Sequence, residues 1–312
     1  MKTRKLINLA MILIAVLGIS ISGCKKDKNT EDPATDTNSM QQLAKDQNSV
    51  QSASDDALND VNDVMSGGNK QVNNMPCNMT IDSSSVIGDT ITYNLTFNGL
   101  NCSGTKNRVG NVEVKRNINT PWSQSGTMVF VKFINLNVTR ISDNKHVILN
   151  GNKAFQNVSG GLVRNLGIGG LTSVTLKISG SLVATFDDGT SRTWNVARTR
   201  TFTGTPVQLV ETMGGFGSAD GYSNLLFWGT NRHGELFYTQ ITQSVVAKQV
   251  CGWDPASGII VHQIPSDSKK ATVTFGYDDN DQPITGTNCP TKYKLDWERN
   301  THSGTIYLFL HN

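Results

Sequence analysis

Beyond Asn74 the spacing between apolar residues changes, and this change restricts the fold more than any other feature of the chain. From there on, apolar and polar residues alternate at two-residue spacing, and Thr, Val, Ile and aromatic residues are frequent. Alternation of this kind is typical of β-strands that bury one face. The chain has only eight prolines to interrupt strands, and it has 29 glycines for turns. We therefore expect residues 76–312 to form an all-β domain.

Two hairpins stand out in this domain. In the first, Asp188-Gly189 separates the alternating runs 181–186 and 191–196, and Asp-Gly is a strong signal for a tight turn. The second spans residues 225–238, with its turn at Asn231–Gly234. Long strands joined by short turns predict an antiparallel β-meander. The length leaves open whether the meander forms one large twisted sheet, a sandwich or a barrel.

Residues 40–66 have a helical period instead. Apolar residues recur mostly at intervals of three and four: Leu43, Val50, Ala53, Ala57, Leu58, Val61 and Val64. The segment Ser66-Gly67-Gly68 follows them. This pattern predicts one amphipathic helix that stops at the glycines. Because the apolar stripe is narrow and rich in alanine, we expect the helix to pack loosely on the β domain or to act as a spacer. A helix that binds a partner is the alternative.

The first 23 residues have the pattern of a secretory signal peptide. Lys2, Arg4 and Lys5 precede an apolar run, Leu6–Ile19, which is shorter than the roughly 20 residues of a membrane-spanning helix. The run ends in small residues, and Ile21–Cys24 resembles the lipobox of bacterial lipoproteins. In that motif the cysteine is lipidated and becomes the new N-terminus. A plain secreted protein with a chance cysteine is the alternative.

Residues 24–39 contain the lipidated Cys24 and a stretch with no large apolar residue before Met40. A segment of this composition cannot contribute to a hydrophobic core, so we expect a flexible tether. The mature protein would be held on the membrane by its N-terminal lipid.

The net charge argues against nucleic acid as a partner. The chain has 28 Lys and Arg and 25 Asp and Glu, and three of the basic residues lie in the signal peptide, so the mature chain is neutral. Binding to phosphates needs a concentrated positive field. Residues 25–75 nevertheless carry a net charge of −4 and residues 76–312 a net charge of +4.

Four cysteines remain after Cys24: Cys77, Cys102, Cys251 and Cys289. In an oxidising compartment an even number of cysteines is typical of disulfides, and four allow three pairings. Each pair of neighbours flanks a similar strand-rich stretch, and the sequence around Cys102 has a weak echo around Cys289. We therefore favour Cys77–Cys102 and Cys251–Cys289. A zinc site is the alternative, but no Cys-x-x-Cys spacing supports it.

Several stretches carry a family resemblance: residues 55–62, 190–202, 230–234, 246–258 and 272–276 ahead of Cys289. They are similar to a group of uncharacterised Bacteroidota envelope lipoproteins, over nearly the whole chain. Residues 277–287 depart from that group because this loop is longer here. The resemblance implies a phylum and a location in the cell envelope, and it implies no activity.

The strand at residues 192–202 is the most unusual one. One face would carry Arg192, Trp194, Arg198 and Arg200 together with Val196 and Phe202. If this face is exposed, the three arginines and Trp194 form a surface suited to sugars or acidic polymers. In the interpretation that we favour, the arginines stack on Trp194 and pair with acids on neighbouring strands of a solvent-facing sheet.

The common catalytic and metal-binding motifs are missing from the sequence, which has no Gly-x-Ser-x-Gly, no His-Glu-x-x-His and no phosphate-binding loop. We therefore expect a non-catalytic domain without a cofactor or metal, which binds a glycan or an envelope protein or is structural. An envelope glycan hydrolase is the alternative, since it needs only two carboxylates that the fold brings together. Because Lys25 follows the lipobox in place of aspartate, we expect the outer membrane.

The lipobox leads to a test of the anchor. Cys24→Ala removes the thiol that receives the lipid, so the protein should move from the membrane fraction to the soluble fraction, or its processing should stall. Cell fractionation with and without detergent measures this. Unchanged fractionation would rule out Cys24 as the anchor.

Overall fold

The computed structural model describes residues 33–67 and 76–310. The predicted signal peptide, Cys24 and the first part of the predicted tether lie outside the described residues.

Within the described residues, one α-helix precedes the strands, and it is longer than the sequence pattern indicates. Helix α1 spans Pro33–Gly67, so it begins seven residues before the predicted start at residue 40. The last part of the predicted tether is therefore helical. The apolar period begins only at Met40, so it could not reveal this first part. Proline is well suited to the first turn of a helix, because its fixed φ is helical and its missing N–H would have no partner there.

The remainder of the described chain is almost entirely β-strand. In chain order the strands are β1 (Met79–Ile87), β2 (Thr90–Leu100), β3 (Lys106–Asn117), β4 (Met128–Arg140), β5 (His146–Asn157), β6 (Ser173–Phe186), β7 (Ser191–Thr205), β8 (Gln208–Gly215), β9 (Gly217–Ala219), β10 (Tyr222–Thr230), β11 (Leu236–Lys248), β12 (Pro255–Ile264), β13 (Lys269–Tyr277), β14 (Lys292–Arg299) and β15 (His302–Phe309).

All fifteen strands belong to one antiparallel sheet, with β1 and β15 at its edges. Most neighbours in the sheet are also neighbours in the chain, so the predicted β-meander is confirmed. Of the three forms that the sequence left open, the structure has the single large sheet. Both predicted hairpins are present, β6–β7 with its turn at Asp187–Thr190 and β10–β11 with its turn at Asn231–Glu235.

One position in the sheet is shared by two strands. The second half of β7 pairs with β8 and its first half pairs with β10, and β11 pairs with the same two strands on the other side. Strands β8 and β10 thus lie end to end between β7 and β11. Between β8 and β10 the chain leaves this shared position in the sheet and forms a short hairpin, in which β9 pairs with β10.

The sheet curves around α1. Asp55 and Asp56 are adjacent in the helix, yet Asp55 pairs with Arg198 on β7 and Asp56 with Lys106 on β3. Those strands are four positions apart in the sheet, or about 19 Å if it were flat. A helix with its side chains is only about 10–12 Å across. Since the pairing cations are spaced wider than the helix itself, we infer that the sheet curls, so that it has an inner face towards α1 and an outer face away from it.

The hydrophobic core lies between α1 and the inner face. Six apolar helix residues are at most 3% exposed: Leu43, Val50, Ala53, Ala57, Leu58 and Val61. They pack against alternate residues of the strands, such as Leu95, Val112 and Leu149, each fully buried. The expectation of a loosely packed helix or spacer is therefore wrong. It considered only the apolar stripe, whereas polar residues of α1 such as Asp46, Gln47 and Ser54 are also buried.

Both expected disulfides are present, Cys77–Cys102 and Cys251–Cys289, with Cα–Cα distances of 5.0 and 5.3 Å. The first joins the segment before β1 to the turn after β2, and the second joins the turn after β11 to the loop before β14. Two intrachain disulfides are typical of oxidising compartments, and they indicate an extracytoplasmic protein.

Candidate functional site

The predicted arginine face lies on the inner side of β7. Arg192, Trp194, Arg198 and Arg200 are between 0% and 5% exposed. They therefore do not form an exposed binding surface, and the sheet around them does not face solvent. The physical reason is that α1 docks on this part of the sheet and covers it.

Arg200 is satisfied by a neighbouring strand, as the favoured interpretation expected. Its Nε and Nη2 donate to Glu211 Oε1 and Oε2 on β8 at 2.5 and 2.9 Å. Both side chains are buried. This two-point contact fits the planar guanidinium to the planar carboxylate and is the strongest kind of hydrogen-bonded ion pair.

Three further inner-face cations, and Arg232 in the β10–β11 turn, pair with acids of the helix, which the sequence reasoning missed. The pairs are Asp55 with Arg198 at 2.5 Å, Asp56 with Lys106 at 2.7 Å, Asp60 with Arg108, and Asp46 with Arg232 at 2.7 Å. Burial by itself would raise the pKa of Asp55, but Arg198 and Lys153 hold that pKa below its ordinary value. The opposite net charges of residues 25–75 and 76–312 were the only sequence signal for this interface.

Lys153 on β5 lies between the acids and the aromatic core. Its Nζ donates to Ser54 Oγ of α1 at 2.8 Å and lies 4.5 Å from the ring centre of Trp194. Burial lowers the pKa of Lys153 to about 7, although the nearby Asp55 carboxylate opposes the shift. The charged and neutral forms of Lys153 are therefore close in free energy near neutral pH.

Arg192 and His262 are the least satisfied groups of the inner face. The Arg192 guanidinium lies 4.4 Å from the ring centre of Phe237, and none of its three nitrogens has a hydrogen-bond acceptor in the described part of the chain. Burial lowers the pKa of Arg192 to about 10, against the opposing influence of Asp46. His262 Nδ1 is 3.0 Å from Thr239 Oγ1, and burial lowers the pKa of His262 to about 4.

These inner groups hold the helix on the sheet. They are buried under α1, and most of their charges are neutralised by one another, so they do not present an open constellation of the kind that catalysis needs. Among residues 33–67 and 76–310, no group of three or more His, Cys, Asp or Glu side chains is placed to hold a metal ion.

The outer face carries a groove of about 380 Å³ where β2, β3 and β4 meet the loop at 118–127. Its described lining consists of Thr90, Lys115, Arg116, Asn117, Thr120, Gln124, Ser125, Gly126, Thr127, Met128 and Phe130. Phe130 is 54% exposed and Met128 is 40% exposed. An open site with an aromatic ring beside amide and hydroxyl groups is suited to a ligand with both apolar and polar faces, such as a sugar.

The two cations of this groove are held in place by the protein. Arg116 donates to the carbonyl oxygen of Asn117 at 3.1 Å and to the Tyr93 hydroxyl at 3.4 Å. Lys115 forms an ion pair with Glu113 at 2.8 Å. No residue in the described lining is Asp or Glu. Arg116 shares the inner side of β3 with the buried Val112 and Val114, so Lys115 is the cation that this lining presents on the outer side. The described lining thus offers hydrogen-bond donors and one lysine, which is paired with the bordering Glu113.

Within the described ranges, no helix has the length and apolar character needed to cross a membrane. Comparison of the chain with protein-family models, with curated proteins and with solved structures finds no match. The resemblance to Bacteroidota lipoproteins therefore stays a prediction.

The Asp55–Arg198 pair predicts a large effect of a conservative change. Asp55→Asn keeps the shape but leaves Arg198 buried without its counter-charge, so the free energy of unfolding should fall by about 3–5 kcal/mol. Adding Arg198→Met should recover most of this loss, because the uncompensated charge is then removed. Denaturant unfolding measures both variants.

The control for that experiment is Asp143→Asn. Asp143 pairs with Arg140 at 2.7 Å, but both side chains are largely exposed, at 39% and 44%. Breaking this pair should cost less than about 1 kcal/mol. If the Asp55 and Asp143 variants lost equal free energy of unfolding, the larger contribution expected of the buried pair would be contradicted.

Lys153 makes stability depend on pH. Its pKa is about 7 in the folded protein and ordinarily 10.5, so between these values the unfolded chain holds the extra proton. The free energy of unfolding should therefore rise with pH through this window. Lys153→Met should flatten the rise, whereas the same change at the exposed Lys177 should not. Denaturant midpoints from about pH 7 to pH 9 test this, and a slope that survives in Lys153→Met would assign it to another group.

Proposed function

We propose that this chain is a lipid-anchored protein of the bacterial cell envelope whose β domain binds a glycan through its outer face and does not cleave it. The anchor at Cys24 and the outer membrane are supported by the lipobox and by Lys25 after it. The two disulfides support the extracytoplasmic part of this proposal.

The groove on the outer face supports the glycan-binding part of this proposal. It combines the exposed ring of Phe130 with amide and hydroxyl groups such as Asn117, Gln124 and Thr120. Aromatic rings stack on the apolar face of a sugar, and amides and hydroxyls bind its hydroxyl groups.

The same groove argues against the glycan hydrolase. Glycosidases of the usual kind need two carboxylates beside the scissile bond, one to donate a proton and one to activate water or attack the sugar. The described groove lining has no carboxylate. Binding without hydrolysis is therefore the function that this geometry supports best.

A glycan array tests the proposal. Detergent-solubilised full-length protein should bind a subset of envelope-type glycans, and the bound glycans should be recovered intact by chromatography after long incubation. Shortened glycans would support the hydrolase instead. Absence of binding across the array would refute the glycan-binding function.

A further inference from the structure

Five residues of the outer face form one row across the sheet. Phe130 on β4, Ala154 on β5, Ser179 on β6 and Ala197 on β7 are successive register partners. The row continues beyond β7, because the backbone N–H of Phe216, directly after β8, donates to the carbonyl oxygen of Ala197 at 3.1 Å. We call this row the outer trough, since three small side chains lie between two aromatic ones. Ala154 and Ser179 are half-buried and Ala197 is 4% exposed, so Ala154 and Ser179 form the accessible floor.

The two rings are spaced for an extended ligand. Phe130 is 54% exposed and Phe216 is 42% exposed. Four strand positions separate them, or about 19 Å along the sheet. This span is much longer than one sugar ring. A ligand that stacks on both rings must therefore be a chain that runs across the strands.

Polar side chains flank the trough on both sides. Their register partners place Gln156, Lys177 and Thr199 along one side, and Asn152, Ser181 and Asn195 along the other. All six side chains are exposed or half-buried. Amides, hydroxyls and an ammonium group thus face any chain that lies on the small residues, and these groups bind sugar hydroxyls well.

The charge of the trough is positive. Lys132 and Lys177 are exposed beside its two ends, and Lys177 Nζ lies 5.2 Å from the ring centre of Phe216. Glu113, the register partner of Lys132 on β3, is paired with Lys115 at 2.8 Å. The trough and its six flanking residues include no Asp or Glu. A ligand with carboxylates is favoured over a neutral one, because the lysines then gain counter-charges.

We propose that the outer trough binds an extended acidic glycan, which runs across β4 to β8 and stacks on Phe130 and Phe216. This assignment rests on the proposed glycan-binding function and names its ligand class and its path. Sugar rings cover the two phenyl groups, the flanking amides and hydroxyls bind the sugar hydroxyls, and the lysines pair with the sugar carboxylates.

Oligomers of galacturonic acid of increasing length are the probes, with neutral xylose oligomers of matched length for comparison. For the long acidic oligomers, Phe130→Ala and Phe216→Ala should each raise Kd about 3- to 10-fold. For dimers, which cannot reach both rings, each change should have a smaller effect. Lys177→Gln should weaken the acidic oligomers and reduce the dependence of Kd on salt. Calorimetry on the full-length protein measures these values.

Phe309→Ala is the matched control. Phe309 is 43% exposed and has Lys292 Nζ 4.8 Å from its ring centre, much like Phe216 and Lys177, but it lies on the edge strand β15. It should leave every Kd unchanged. Denaturant midpoints verify that all variants are folded.

The outcomes separate the outer trough as the binding site from the glycan-binding function in general. If glycans bind but neither ring variant changes Kd, the outer trough is the wrong site and the binding function stands. If neutral oligomers bind as tightly as acidic ones, the assignment of an acidic ligand is wrong. If neither the array nor the oligomers bind, the glycan-binding function itself fails.

Discussion

The docking of α1 through buried ion pairs is the interaction on which the rest of the structure depends. Asp55 and Asp56 lie side by side on the helix and pair with cations four strand positions apart. In a flat sheet these cations would be more than one helix width apart, so the pairs fit a sheet that curves around the helix. Buried ion pairs add little net stability over apolar packing, because removing charges from water is costly. They do penalise any arrangement in which one partner is buried alone, and this favours one position of the helix.

The inner cations are also supported by aromatic rings. Arg108 lies 4.6 Å from the ring centre of Phe97, Lys153 lies 4.5 Å from that of Trp194, and Arg232 lies 3.7 Å from that of Phe186. Each ring offers the negative face of its π-system to the cation and excludes water on that side. The inner face can therefore bury several cations beneath one helix, and its charged residues are used for structure.

As a consequence, the face of the sheet that α1 leaves uncovered is the outer face. Strand alternation places every second side chain there, and the registers of β4 to β7 align small and polar side chains into rows. A long antiparallel meander suits the proposed binding of an extended ligand, since it presents a broad and regular surface with few loops. The groove beside Phe130 and the outer trough share that ring, so they form one continuous area of the outer face.

The sequence by itself determined the β-meander, the hairpin at Asp188-Gly189 and the presence of a helix before the strands, because periods of two and of three to four residues are local properties of the chain. The disulfide pairing also followed from neighbouring flanks. Local pattern could not show that Arg198 faces a helix more than 140 residues earlier in the chain, nor that Phe130 and Phe216 share a row. Only the tertiary structure decided which face is covered, since strand alternation gives two faces and the docking of α1 selects the inner one.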